Sequence, residues 1–160
     1  MQYSNNHKVE FEAHVHTQSK SLEKAINNIG QLTGDTYTGA ALKAMLPLFE
    51  KARKERNSKV PCYLIVLTDG EAHDNVLVPA TMLRNTKINI YAIGVKDANV
   101  TQLHEIAGSK LRVFHVQQYG LLKNIKNNIV RSICSKEGKT NTTHLPAILH
   151  INTTVVVQVK

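Results

Sequence analysis

The sequence predicts an α/β fold: a doubly wound, mainly parallel sheet with helices on both faces. Three observations carry this. Strand-like and helix-like hydrophobic periods alternate along most of the chain. Cys62-Tyr-Leu-Ile-Val-Leu67 is apolar without a break, as a strand buried on both faces of a parallel sheet must be. The 160 residues, 42% hydrophobic with no Trp and few aromatics, suffice for one domain with an aliphatic core.

The elements follow in order. Val9-Glu-Phe-Glu-Ala13 alternates apolar and polar residues and reads as a half-buried strand. Leu22, Ala25, Ile26 and Ile29 repeat at helical spacing, and so do Leu42, Met45, Leu46 and Phe49, with Pro47 expected to kink the second helix. After the strand Cys62–Leu67, Asp74 is placed to cap a helix carrying Val76, Ala80 and Leu83. Ile88–Ile93 reads as a strand stopped by Gly94. Val100, Leu103, Ile106 and Ala107 mark a short helix, Arg112–Val116 a strand, and Leu122, Ile125, Ile129 and Ile133 the last helix.

Two units are expected, residues 1–134 and a tail, residues 135–160. The tail opens on a polar linker and continues apolar and β-branched through Thr153-Thr-Val-Val-Val-Gln-Val159. Two readings of that run stand open: a strand that enters the sheet beside Cys62–Leu67, or a disordered tail prone to aggregate.

Several classes are excluded. No stretch approaches the roughly 18 apolar residues of a membrane span. Two cysteines rule out a disulfide scaffold and a four-Cys zinc site. There is no phosphate loop, no dinucleotide fingerprint and no nucleophile elbow. The first eight residues carry no apolar signal core, which makes a cytoplasmic location one expectation.

Sites in such sheets lie beyond the carboxyl ends of the strands. Asp69 stands there, in Val66-Leu-Thr-Asp-Gly-Glu-Ala-His-Asp74, poised to offer oxygen to a hard cation. Thr36, in Thr33-Gly-Asp-Thr-Tyr-Thr-Gly39, stands at a helix entry from which its hydroxyl could reach the same cation. Read blandly, Thr36 caps a helix and Asp69 a turn.

Thr33–Leu42, Leu64–Asp74 and Ile90–Val95 occur in a fixed order and spacing, together with Gln2–Phe11 and Val113–Cys134. In these stretches the chain resembles the von Willebrand factor type A domains, above all the modules of the collagen type VI alpha chains. The resemblance covers roughly residues 1–134. It implies a metal-ion-dependent adhesion site in which Mg²⁺ is held by an Asp-x-Ser-x-Ser turn, a Thr matching Thr36 and an Asp matching Asp69. No Asp-x-Ser-x-Ser occurs here, and Met1 aligns within the family's second strand. The expectation is therefore a domain lacking the first strand and helix, with an incomplete site that binds Mg²⁺ weakly. The resemblance also implies a non-enzymatic, protein-binding adhesion module of the extracellular matrix, with collagens among its partners. Cys134 matches a family cysteine whose usual partner is not in this chain.

Charge adds a second hint. The net charge is +8, and Lys110, Arg112, Lys123, Lys126 and Arg131 fall in one stretch that attracts acidic proteins or glycosaminoglycans. A solvated helix surface is the plain alternative. Nucleic acid is not expected, since no binding motif and few aromatics accompany the charge. Asn99, Asn141 and Asn152 head glycosylation sequons. His14 and His16 share one side of an extended segment and are a zinc candidate. Two alternatives remain: a hydrolase or nucleotide-binding enzyme on a similar sheet, and a truncated product with little independent function.

Overall fold

A computed structural model describes residues 1–12, 15, 18–55, 61–137 and 152–157. The elements are β1 (Gln2–Tyr3), β2 (His7–Lys8), α1 (Ser19–Asn27), α2 (Thr38–Glu55), β3 (Cys62–Thr68), α3 (Leu77–Asn85), β4 (Ile88–Val95), α4 (Val100–Ala107), β5 (Val113–Val116), α5 (Leu122–Glu137) and β6 (Asn152–Val157). The six strands form one sheet in the order β2-β1-β6-β3-β4-β5. β2 runs antiparallel to β1, and every other pairing is parallel.

The alternation of side chains along β3 explains the two layers. Cys62, Leu64 and Val66 point to one face, where they join Leu42, Met45, Ala80, Leu83, Leu103 and Ile106 from α2, α3 and α4. Tyr63 points to the other and meets Tyr91, Ile93, Ile129 and Ile133, with Ile65, Leu67 and Phe114 half-buried beside them. Both faces of the central strands are therefore covered, as an unbroken apolar run requires. The second face is thinner, since α5 alone supplies its buried helical residues among those described. The helical stripe of α1 is real in spacing, yet α1 has no buried residue.

Several expectations are corrected. Val9–Ala13 is not a strand: Val9–Glu12 lie outside regular structure, and Ala13 lies outside the described residues. The observed strands are two-residue pieces joined by a turn in which Ser4 N–H donates to the Asn6 carbonyl at 2.7 Å. Elements that short leave no periodicity to detect. The two acids of the alternating run serve instead in ion pairs, Glu10 with Lys8 at 3.0 Å and Glu12 with Lys51 at 2.8 Å.

Gly94 does not stop its strand. β4 continues through it, paired with Thr68 on one side and His115 on the other. A Cβ there would come within 2.8 Å of His115 and 2.9 Å of Ala98, so the glycine permits close approach rather than termination. Asp74 does not cap the helix that follows it. Asn75 takes that place, its Oδ1 accepting from Val78 N–H at 3.0 Å. Arg112 ends a 3₁₀ turn before β5. α5 runs past Cys134 to Glu137, so the tail does not begin as linker at residue 135.

The tail itself joins the sheet. β6 lies between β1 and β3, which bears out the strand reading for Asn152–Val157 and not the disordered one. Residues 138–151 and 158–160 lie outside the described residues.

Candidate functional site

At the carboxyl end of β3 the chain leaves the sheet through Asp69 and returns to a helix at Leu77. A second loop, residues 33–37, enters α2. Backbone and side chains join the two loops. His73 N–H donates to the Thr36 carbonyl at 2.8 Å, and the Tyr37 and His73 rings meet edge to face at 6.0 Å. Asp74 reaches across to α2, its carboxylate accepting from Gly39 N–H at 2.8 Å and Ala40 N–H at 2.7 Å. These are donors that a helix start leaves without intrahelical partners, and an acid suits the positive end of the helix dipole. The approach is close enough that a Cβ on Gly39 would collide with the Asn75 carbonyl.

α4 holds the loop from the other side. Gln102 brackets the peptide of Ala72, accepting from its N–H at 2.7 Å and donating to its carbonyl at 3.0 Å. Beneath the loops, Thr38 donates its hydroxyl to that of Tyr3 at 3.3 Å. Burial pushes the Tyr3 phenol up to about 12, with nearby Asp69 and Asp74 adding to the shift. Tyr119 closes the site: its hydroxyl donates to Asp69 Oδ2 at 2.7 Å, and Lys96 Nζ stands 5.6 Å from its ring centre.

Thr36 and Asp69 are both buried and lie on loops that touch. As a donor set for Mg²⁺ they fit poorly. Mg²⁺ requires near-octahedral oxygen geometry, whereas the two supply one hydroxyl and one carboxylate, with an oxygen of that carboxylate already bonded to Tyr119. Among the described residues no group of three or more His, Cys, Asp or Glu is arranged to hold a metal ion. His14 and His16 lie outside the described residues. Tyr3, Gln102 and Tyr119 were not legible as site residues, because each reaches the loops from an element remote in sequence.

The basic stretch divides between the layers. Arg112 donates to Asn89 Oδ1 at 3.1 Å and to the Ala107 carbonyl at 3.2 Å, so its guanidinium binds β4 and the end of α4. This corrects its reading as a residue open to an anion. Lys110 is exposed on the same turn. Lys123, Lys126 and Arg131 are exposed on α5, which covers the opposite face. Lys123 and Lys126 stand one turn apart, and Arg131 lies about 80° round the helix from Lys123. Of the sequons, Asn99 caps α4, its Oδ1 accepting from Gln102 N–H at 3.2 Å. Asn152 opens β6, and Asn141 lies outside the described residues. Among the described residues neither Cys62 nor Cys134 is in a disulfide.

A profile of the family described as von Willebrand factor type A domain matches residues 1–128. The chain is 48% identical over 137 residues to the human collagen alpha-6(VI) chain, covering 86% of this chain and 6% of that one. It is 51% identical over 138 residues to the mouse collagen alpha-5(VI) chain, covering 86% and 5%. The chain thus spans about one-twentieth of the length of these relatives. Among solved structures, proximal thread matrix protein 1 from the mussel byssus, with a zinc-occupied MIDAS motif, superposes with a TM-score of 0.69. The identity is 25%, over 82% of this chain and 33% of that one.

Proposed function

The chain belongs to the von Willebrand factor type A domain family, and from that premise we propose that it is a non-enzymatic protein-binding module of the extracellular matrix. Its partners are matrix proteins, collagens among them, and acidic polysaccharides. The observation that carries this reading is the extended similarity to collagen VI chains, 86% of the chain at about half identity. The site chemistry agrees with it. Of the carboxylates in these loops, the two nearest the start of α2 and the end of β3 are engaged in structural hydrogen bonds: Asp69 with Tyr119, Asp74 with the start of α2. Neither is arranged as a general base beside a nucleophile.

The adhesion site is incomplete in our reading, and recognition does not depend on Mg²⁺. Thr36 and Asp69 serve here to hold the loops in place, Thr36 through its carbonyl to His73 and Asp69 through Tyr119. The anion-binding face narrows to Lys123, Lys126 and Arg131 on α5, with Lys110 apart from them. Retention of the full chain on a heparin column, read as the eluting salt concentration, tests this face. Lys123→Glu with Lys126→Glu should elute at clearly lower salt, while the same reversal at Lys8 and Lys20 should shift it less. Equal shifts would reduce the effect to net charge and remove the face from the proposal.

A further inference from the structure

β6 holds an unusual place among the strands. It pairs with β1 on one side and β3 on the other, while β1 otherwise pairs with β2 and β3 with β4. Among the described residues, β6 is therefore the ladder that joins the N-terminal hairpin to the β3–β4–β5 half. Its attachment is unequal. Six residues register on β3, from Cys62↔Asn152 to Leu67↔Val157, against one on β1, Gln2↔Val157. β3 is the template, and β1 clasps the end.

The need for that ladder follows from burial. Leu64 and Val66 are completely buried under α2, α3 and α4. Backbone groups of β3 that face away from β4 have little access to water, and a strand must satisfy them. The strand that does so comes last in the chain, and neither of its sheet neighbours is adjacent to it in sequence. It carries no charge, and Thr153–Val157 are all β-branched. A strand held by main-chain bonds, with no short connection to either neighbour, enters as added strands enter a sheet edge.

We infer that the slot between β1 and β3 is a strand-acceptor site, filled in cis by Asn152–Val157. Its ligand is an extended, uncharged, β-branched peptide running parallel to β3. Hydrogen exchange on the full chain is the first test. Amides of residues 152–157 exchange as slowly as those of β3 in a protein that sediments as a monomer. Exchange at the rate of a free chain, or protection confined to a dimer in which a second copy supplies the strand, overturns the assignment. The second test is Val155→Pro, which removes a donor in mid-ladder. Alternate amides of β3 should then exchange about tenfold faster or more, while those bonded to β4 change little. A synthetic peptide of residues 152–157 added to this variant should restore protection with increasing dose, and the same peptide bearing the proline should not. Unchanged exchange in the variant, or no rescue by the peptide, refutes the acceptor site. Should the variant fail to fold, the exchange and sedimentation of the unaltered chain still decide.

Discussion

Asp74→Ala is the substitution that most directly tests how the candidate site is held together. The carboxylate accepts from two N–H groups in the first turn of α2, at 2.8 and 2.7 Å, across 34 or more positions of sequence. Losing a helix cap costs about 1 kcal/mol and up to about 2. Losing the negative charge at the positive end of the dipole adds roughly 0.3–1 kcal/mol. The Gly39 N–H is part-buried and would be left poorly solvated, whereas the Ala40 N–H is exposed and finds water. Together these give a loss of about 2–3 kcal/mol. For a chain of this size that is a fall in Tm of roughly 5–10 °C. Asp74→Asn keeps one acceptor and loses the charge, so it should fall about halfway. Urea unfolding followed by circular dichroism measures both, with an unchanged m-value showing that the unfolding reaction is the same. Had Asp74 capped α3, as its place in the sequence suggests, the loss of protection would centre on residues 77–80. A loss below about 0.5 kcal/mol, or a loss of hydrogen-exchange protection at the start of α3 rather than α2, refutes the bridge.

Three further outcomes follow from the same geometry. Gly39→Ala should destabilise by about 1–3 kcal/mol, because the new methyl meets the Asn75 backbone; combined with Asp74→Ala it should cost less than the sum, and additivity in a double-mutant cycle would show the two positions to be independent. Tyr3, with its phenol raised from 10.0 to about 12, contributes stability that is complete below about pH 10 and is lost as pH rises towards 12. By pH 11 the loss is roughly 1.4 kcal/mol, and unfolding curves of Tyr3→Phe compared with the unaltered chain should lack it; equal alkaline losses in both would sink the assignment. Millimolar Mg²⁺ should stabilise by only about 0.1 kcal/mol, so a Tm rise of several degrees that disappears in Asp69→Ala would mean that more ligands converge on the site than Thr36 and Asp69.

The sequence by itself determined the class of the fold and the order of its long elements. β3 and β4 are legible because a strand covered on both faces must be apolar throughout, and α2, α4 and α5 because one face of each is buried at helical spacing. Asp69 is legible as a loop residue at the carboxyl end of β3 and Thr36 as a residue of the turn that enters α2, since the order of elements places them there. What the sequence left open was decided by contacts between distant positions. β1 and β2 are too short to carry a period, and the alternation of Val9–Glu12 serves ion pairs instead of a strand. Asp74 lies just ahead of α3 in sequence but bonds α2, because the folded loops bring that helix start within 3 Å. Arg112 counts as one charge among several in the sequence, yet its donors are held by Asn89 and Ala107. Tyr119 is 50 residues from Asp69 and carries no local signal of their bond. The tail is the clearest division. Its β-branched composition permits a strand or an aggregating segment alike, and only the row of β3 backbone groups facing β6 selects the strand.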